Sequence, residues 1–162
     1  MKAFAALFSA LVFGALVVVP TAGSTRPDRS FLFNADTVIS GPCSFEVELH
    51  VLQNNEYITV FSDGHFIVTG ALMVRLTNLS DPSNSMVLNI PGPGIFTPTP
   101  DGGLVLRAEG PWLFWATADQ LYPGSPAFFE FTRGLSTLTI NPDGTGTFVP
   151  ARNSIDICAA LG

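Results

Sequence analysis

Lysine is almost missing from this sequence. The single one, Lys2, stands beside six arginines (Arg26, Arg29, Arg75, Arg107, Arg133 and Arg152) and 13 acidic residues. Nucleic-acid binding needs clustered cations to displace counterions, and these arginines are mostly scattered singly, so nucleic acid is excluded as a partner. Histidine is as scarce, with only His50 and His65. Structural zinc takes four ligands and catalytic zinc three plus water; no third and fourth ligands accompany the two histidines, so neither a metal nor another cofactor is expected. A Gly-x-Ser-x-Gly elbow, a His-Glu-x-x-His pair and a phosphate-binding glycine loop are also missing. Glu46 and Glu48 share a strand face, as two carboxylates of a hydrolase must, but alternating glutamates occur on any solvated strand. No catalytic residue is assigned.

Long apolar runs are missing too, except at the start. Lys2, the apolar run from Ala3 to Val19 and the small residues Pro20-Thr21-Ala22-Gly23-Ser24 follow the order of a secretory signal. Cleavage is expected after Ser24, with Ala22 and Ser24 in the two small-residue positions. The run falls short of the roughly 20 residues that span a bilayer core, and Pro20 and Gly23 break its exit, so no stable membrane anchor remains after cleavage. The first cysteine is Cys43, too far along to carry a lipid at the new terminus. The expected organisation is a signal peptide over 1–24, an N-terminal arm and lead-in over 25–40, and one domain over 41–162, secreted to the extracellular space. Six arginines against 13 acids leave the mature chain at a net charge of −7, an acidity that favours solubility.

Two cysteines in an exported chain point to one disulfide, Cys43 to Cys158. Closing a loop of roughly 100 residues stabilises by about 4 to 5 kcal/mol in the chain-entropy model.

No segment keeps a helical repeat over three turns, whereas β-formers alternate and turn residues recur. The fold class is all-β. From Cys43, Phe45, Val47, Leu49 and Val51 are apolar and the residues between them polar, the period of a half-buried strand. Gln53-Asn54-Asn55-Glu56 is expected to turn the chain into a strand over Tyr57 to Ser62, and Asp63-Gly64 is a two-residue hairpin signal. A long third strand keeps one apolar phase through Phe66, Val68, Gly70, Leu72, Val74 and Leu76, with a bend or bulge at Gly70. Further strands are expected over Ser85 to Ile90, Leu104 to Glu109, Trp112 to Ala118, Ala127 to Arg133, Leu135 to Ile140, around Phe148 and over Ile155 to Cys158. Short connections favour a single antiparallel meander closing into a β-barrel, with a two-sheet β-sandwich as the alternative.

In an up-and-down barrel every second connection lies at one end. That end would collect Asp63-Gly64, the stretch Pro91 to Gly103, the segment Asp119 to Pro126 and the turn from Asn141 to Gly146. Binding chemistry gathers where a rigid scaffold presents such loops, and the candidate ligand-binding mouth is His65, Phe96, Asp101, Asp119 and Tyr122. Trp112, Phe114 and Trp115, with Phe128, Phe129 and Phe131, load both faces of two strands. Their outer face requires a cover: a second sheet, a partner copy, or an apolar ligand or membrane.

Gly41-Pro42-Cys43, Phe61-Ser62-Asp63-Gly64, Thr77-Asn78-Leu79, Gly110-Pro111-Trp112-Leu113-Phe114-Trp115 and Asp156-Ile157-Cys158-Ala159 follow one another in an order that resembles a group of uncharacterised secreted β-rich proteins of high-GC Gram-positive bacteria. The resemblance implies the disulfide and a bacterial origin; the group offers no activity to carry over. At fold level the expected barrel is lipocalin-like or allene-oxide-cyclase-like, an analogy only. The leading functional expectation is a secreted, non-catalytic barrel that binds a small apolar ligand. The second is an extracellular or cell-envelope interaction module, with a homo-oligomer as its simplest form, and the third an extracellular hydrolase or isomerase.

Overall fold

The computed structural model describes residues 27–162, so the expected signal segment lies outside the described residues. Among these, the chain forms β1 (Asp28–Phe31), β2 (Thr37–Ile39), β3 (Val47–Asn54), β4 (Tyr57–Val60), β5 (Phe66–Thr69), β6 (Leu72–Asn78) and β7 (Ser85–Ile90). It continues with β8 (Gly94–Pro98), β9 (Leu104–Ala108), β10 (Pro111–Ala116), β11 (Phe128–Arg133), β12 (Ser136–Ile140), β13 (Gly146–Val149), β14 (Asn153–Asp156) and α1 (Ile157–Leu161). The pairings are antiparallel and build three sheets, ordered β1-β4-β5-β8-β9-β12-β13, β2-β3-β6-β7 and β10-β11-β14.

The seven-stranded sheet is largely three hairpins side by side, and the Asp-Gly pairs encode their tips. In each tip the N–H of the first residue donates to the carbonyl of the fifth: Phe61 to His65, Thr99 to Gly103 and Asn141 to Thr145. Gly64, Gly102 and Gly144 take φ between +84° and +93°, where a Cβ would be strained. The loops are therefore three residues long with a glycine bulge, one residue more than expected at Asp63-Gly64.

The expected long strand from Phe66 to Leu76 is two strands. At Gly70, with φ +127°, the chain leaves the seven-stranded sheet as β5 and joins the four-stranded sheet as β6. Its partner crosses beside it: β3 becomes β4 at Asn55-Glu56, and the Asn55 N–H donates to the Ala71 carbonyl at 2.8 Å. Gln53 to Glu56 is thus a crossing between sheets and not a reversal, with β3 paired to β6 and β4 to β5. The apolar phase survives the kink, Phe66 and Val68 turning into one core and Leu72, Val74 and Leu76 into the other. Gly110 and Gly134, at φ +81° and +131°, mark the crossings from β9 to β10 and from β11 to β12.

These crossings overturn the barrel. The chain changes sheet after nearly every hairpin instead of pairing each strand with the next, so the meander does not close, and no lipocalin-like or allene-oxide-cyclase-like barrel forms among the described residues. Packed antiparallel sheets, the sandwich alternative, fit the fold. Three local differences accompany it. The expected arm supplies β1 and β2, each an edge strand. The stretch from Pro91 to Gly103 contains β8, whose prolines fall before the strand and at its end, where a missing N–H is tolerated. The last strand stops at Asp156, whose carboxylate accepts from the Ala159 N–H at 3.1 Å and caps α1.

The chain's own sheets cover both faces of the aromatic strands. Leu113, Trp115, Phe129 and Phe131 pack with Val47, Val74, Leu76 and α1 in one core. Trp112, Phe114 and Phe128 pack with Val68, Phe96 and Leu106 in the other. Cys43 and Cys158 are joined, their Cα atoms 5.3 Å apart, and pack against the first core.

Candidate functional site

Between the seven-stranded and four-stranded sheets, beside β10, lies a cavity of about 250 Å³. Its walls are mostly apolar. Val68, Phe96, Leu106 and Leu138 come from the seven-stranded sheet, Leu49, Leu72 and Ile90 from the four-stranded sheet, and the run from Trp112 to Trp115 from β10. Apolar side chains of alternating phase reach it from both sheets because the kinks at Gly70 and Asn55-Glu56 fold one two-stranded ribbon over its edge.

A strap over residues 32–36, linking β1 to β2, forms a further wall, and side chains of β3 and the β3–β4 crossing hold it. The Leu32 N–H donates to the Glu56 carbonyl at 2.9 Å, and the Asn54 amide donates to the Leu32 carbonyl at 2.8 Å. At the strap's far end Asp36 accepts from the Val51 N–H at 2.7 Å and pairs with His50 Nδ1 at 2.7 Å. The Val51 N–H first, and His50 second, hold the exposed Asp36 carboxyl below its usual range.

Glu56 is the polar exception in the wall. Only 6% of it is exposed. Its Oε2 accepts from the Asn34 amide at 2.8 Å, and its Oε1 takes no hydrogen bond from the described residues. Burial pushes its carboxyl above the usual range, and the Asn34 bond offsets part of that. No lysine or arginine lines the cavity. A second carboxylate, Glu130 of β11, buries Oε2 without a hydrogen-bond partner among the described residues, but it does not line this space.

Of the five candidate mouth residues, Phe96 alone lines the cavity, from the middle of β8, 2% exposed and stacked on Phe66 with ring centroids 4.4 Å apart. His65 sits at the β4–β5 tip, paired with Asp63 and stacked on Phe61. Asp101 lies at the β8–β9 tip and accepts from Thr99 Oγ1. Asp119 and Tyr122 belong to the connection from β10 to β11, where Asp119 accepts from the Gly124 N–H at 2.6 Å. That connection meets the third tip, the Gly146 N–H donating to the Leu121 carbonyl at 2.6 Å. The loop end therefore exists, with hydrogen bonds inside its own turns, and the cavity lies elsewhere.

The chain matches no family model, no curated protein and no solved structure. Function is therefore argued from geometry. Among the described residues no three His, Cys, Asp or Glu side chains converge as metal ligands, and no helix is long and apolar enough to cross a membrane. What the cavity offers is apolar volume and one buried carboxyl. Glu56, Asn34 and Asp36 were not legible as site residues, because Glu56 looked like part of a turn and the other two like part of a solvated arm.

Proposed function

We propose that this protein is a secreted, non-catalytic binding protein that holds a small apolar ligand between its sheets. One observation carries the proposal: a mostly apolar cavity of about 250 Å³ lies where the two cores meet, walled by side chains of both. The cavity is partly open to solvent and combines apolar walls with a few polar groups, the usual make-up of a small-molecule site. Scaled from the engineered 150 Å³ cavity that takes benzene, this one accommodates roughly ten non-hydrogen atoms. The disulfide suits an oxidising compartment outside the cell.

Native mass spectrometry of the protein recovered from its own host tests the proposal. A bound small molecule, lost when Leu138 is enlarged to Trp, is the expected result. An unliganded mass, together with no thermal shift from any apolar probe of that size, would sink it.

A second reading, an interaction module, draws on the edge strand β1. Phe31 is exposed there, Phe33 is exposed on the strap that follows, and Phe31 meets the Tyr57 ring edge-on at 5.8 Å. An open strand edge with apolar side chains invites pairing with another chain. Sedimentation over a concentration series decides it, since a monomer throughout removes pairing between copies.

A further inference from the structure

The apolar walls account for shape, but they do not account for Glu56. A carboxylate stands in this wall with Oε2 bonded to the Asn34 amide and with Oε1, which takes no hydrogen bond among the described residues, not sealed from solvent. A charge withdrawn from bulk water gains from a cation, and among the described residues the wall supplies none: its other polar members are Asn34, Asp36 and Thr37. Asp36 does not compete for a ligand in the same way, because its two oxygens are already engaged by the Val51 N–H and His50.

We infer that the cavity is built for a small hydrophobic amine, whose ammonium group bonds the free oxygen of Glu56 while its hydrocarbon part fills the space between the sheets. The inference rests on the proposed ligand-binding function and narrows it to a chemical class. An ammonium group brings the donors and the positive charge that the wall lacks, and the hydrogen bond it makes is charge-assisted. The aromatic groups Phe33, Phe96, Trp112, Phe114 and Trp115 in the same wall suit both parts of such a molecule, as apolar surface and as rings that attract a cation. An alcohol of the same shape would meet the donor requirement without the charge, and a plain hydrocarbon would meet neither. Burial raises the carboxyl's affinity for a proton, and the same cost is relieved by an ammonium partner.

A matched probe series separates the inference from the function beneath it. The chain's two tryptophans, Trp112 and Trp115, both line the cavity, so their fluorescence reports occupancy. The disulfide-bonded protein is titrated at neutral pH with 2-phenylethylamine, 2-phenylethanol and ethylbenzene, which share the phenylethyl frame and differ only in the terminal group, an amine, a hydroxyl or a hydrogen. The expected result is saturable binding of all three, with the amine at least about tenfold tighter than the alcohol, a difference that the charge-assisted bond accounts for. E56Q, which keeps an acceptor for Asn34, should remove that preference and leave ethylbenzene within twofold. If ethylbenzene binds and the amine is no tighter than the alcohol, the amine inference is overturned and the apolar cavity stands. If none of the three binds to folded protein, both fall. Should E56Q fail to fold, the ratio of amine to alcohol in the unchanged protein decides the question alone.

Discussion

The two cores on either side of the β10-β11-β14 sheet share strands, aromatic residues and hairpin chemistry and both lend side chains to the cavity, Leu49, Leu72 and Ile90 from one and Val68, Phe96 and Leu106 from the other, yet only the first is tied by the disulfide. The tied core buries Val47, Val74, Leu76 and Ile157 with no measurable exposure, and the disulfide joins Cys43 to Cys158 beside it. The untied core, with Val68, Phe96 and Leu106, meets it along the cavity of about 250 Å³ beneath the strap, where Glu56 stands in the wall. The covalent tie thus lies on one side of that sheet, and the cavity lies where the two sides meet. Emptiness costs dispersion contacts, so a domain that keeps such a space gains from compensation elsewhere, and the disulfide packs against the core that includes Leu49, Leu72 and Ile90 of the cavity wall.

The largest expected effect breaks the tie. Replacing Cys43 and Cys158 by serine reopens a loop of 115 residues and should cost about 4 to 5 kcal/mol, measured as a lower urea midpoint. Amide exchange would accelerate first in the four-stranded sheet and α1; equal acceleration on both sides would deny that the tie acts on one of them. Gly70→Ala comes next. Its Cβ would lie 2.0 Å from the Asn55 carbonyl oxygen at φ +127°, so the kink must open, with an expected loss of about 3 to 4 kcal/mol. Because that kink folds the ribbon over the cavity, the variant should also lose probe binding.

Two leucines measure the comparison itself. Leu76 is fully buried away from the cavity, and Leu106 is 4% exposed but lines it. Leu76→Ala should cost about 4 kcal/mol and Leu106→Ala about 2 to 3, since a side chain beside a void has fewer contacts to lose. Equal losses would mean that the cavity wall is as well packed as the core away from it.

Much of this fold is legible in the sequence wherever the signal is local. Ser85 to Ile90 is a strand with the expected bounds, the Asp-Gly pairs are hairpin tips, and the alternation from Val47 to Val51 does face a core. What local pattern does not encode is which sheet a strand joins. The phase from Phe66 to Leu76 is unbroken through Gly70, because a kink that keeps the phase leaves no trace in period two; only the later pairing separates β5 from β6. β8 was hidden by Pro91, Pro93 and Pro98, whose effect depends on which N–H groups the ladder needs. The loop end was legible from turn composition, while the cavity was not, because it brings together segments far apart in the chain, such as those of Leu32 and Glu56, or of Leu72 and Leu106. Glu56 could be recognised only after Asn34 and the strap were seen to bury it.

The smallest expected effect concerns that same residue and has a sign opposite to the others. Burial raises the Glu56 carboxyl in the folded state above its value of 4.5 in the unfolded chain, so the native protein binds more protons than the unfolded one between those two values. Stability contributed by this group is then present below 4.5 and is lost as pH rises through the folded value. Glu56→Gln has no charge to bury and still offers Asn34 an acceptor. At pH 7 the variant should therefore melt higher than the parent, and the gap should close as the pH falls below 4.5, where the parent's carboxyl is neutral in both states. Asp36 titrates nearby in the opposite sense, its lowered carboxyl losing stability as pH falls, but it does so in both proteins and cancels in the difference. Melting temperatures of the two proteins across pH 3.5 to 8 test the expectation; a variant less stable than its parent at pH 7 would show that Glu56 holds the strap by its charge. A gain in stability joined to a loss of amine preference would instead place Glu56 among residues kept for binding at a cost to the fold.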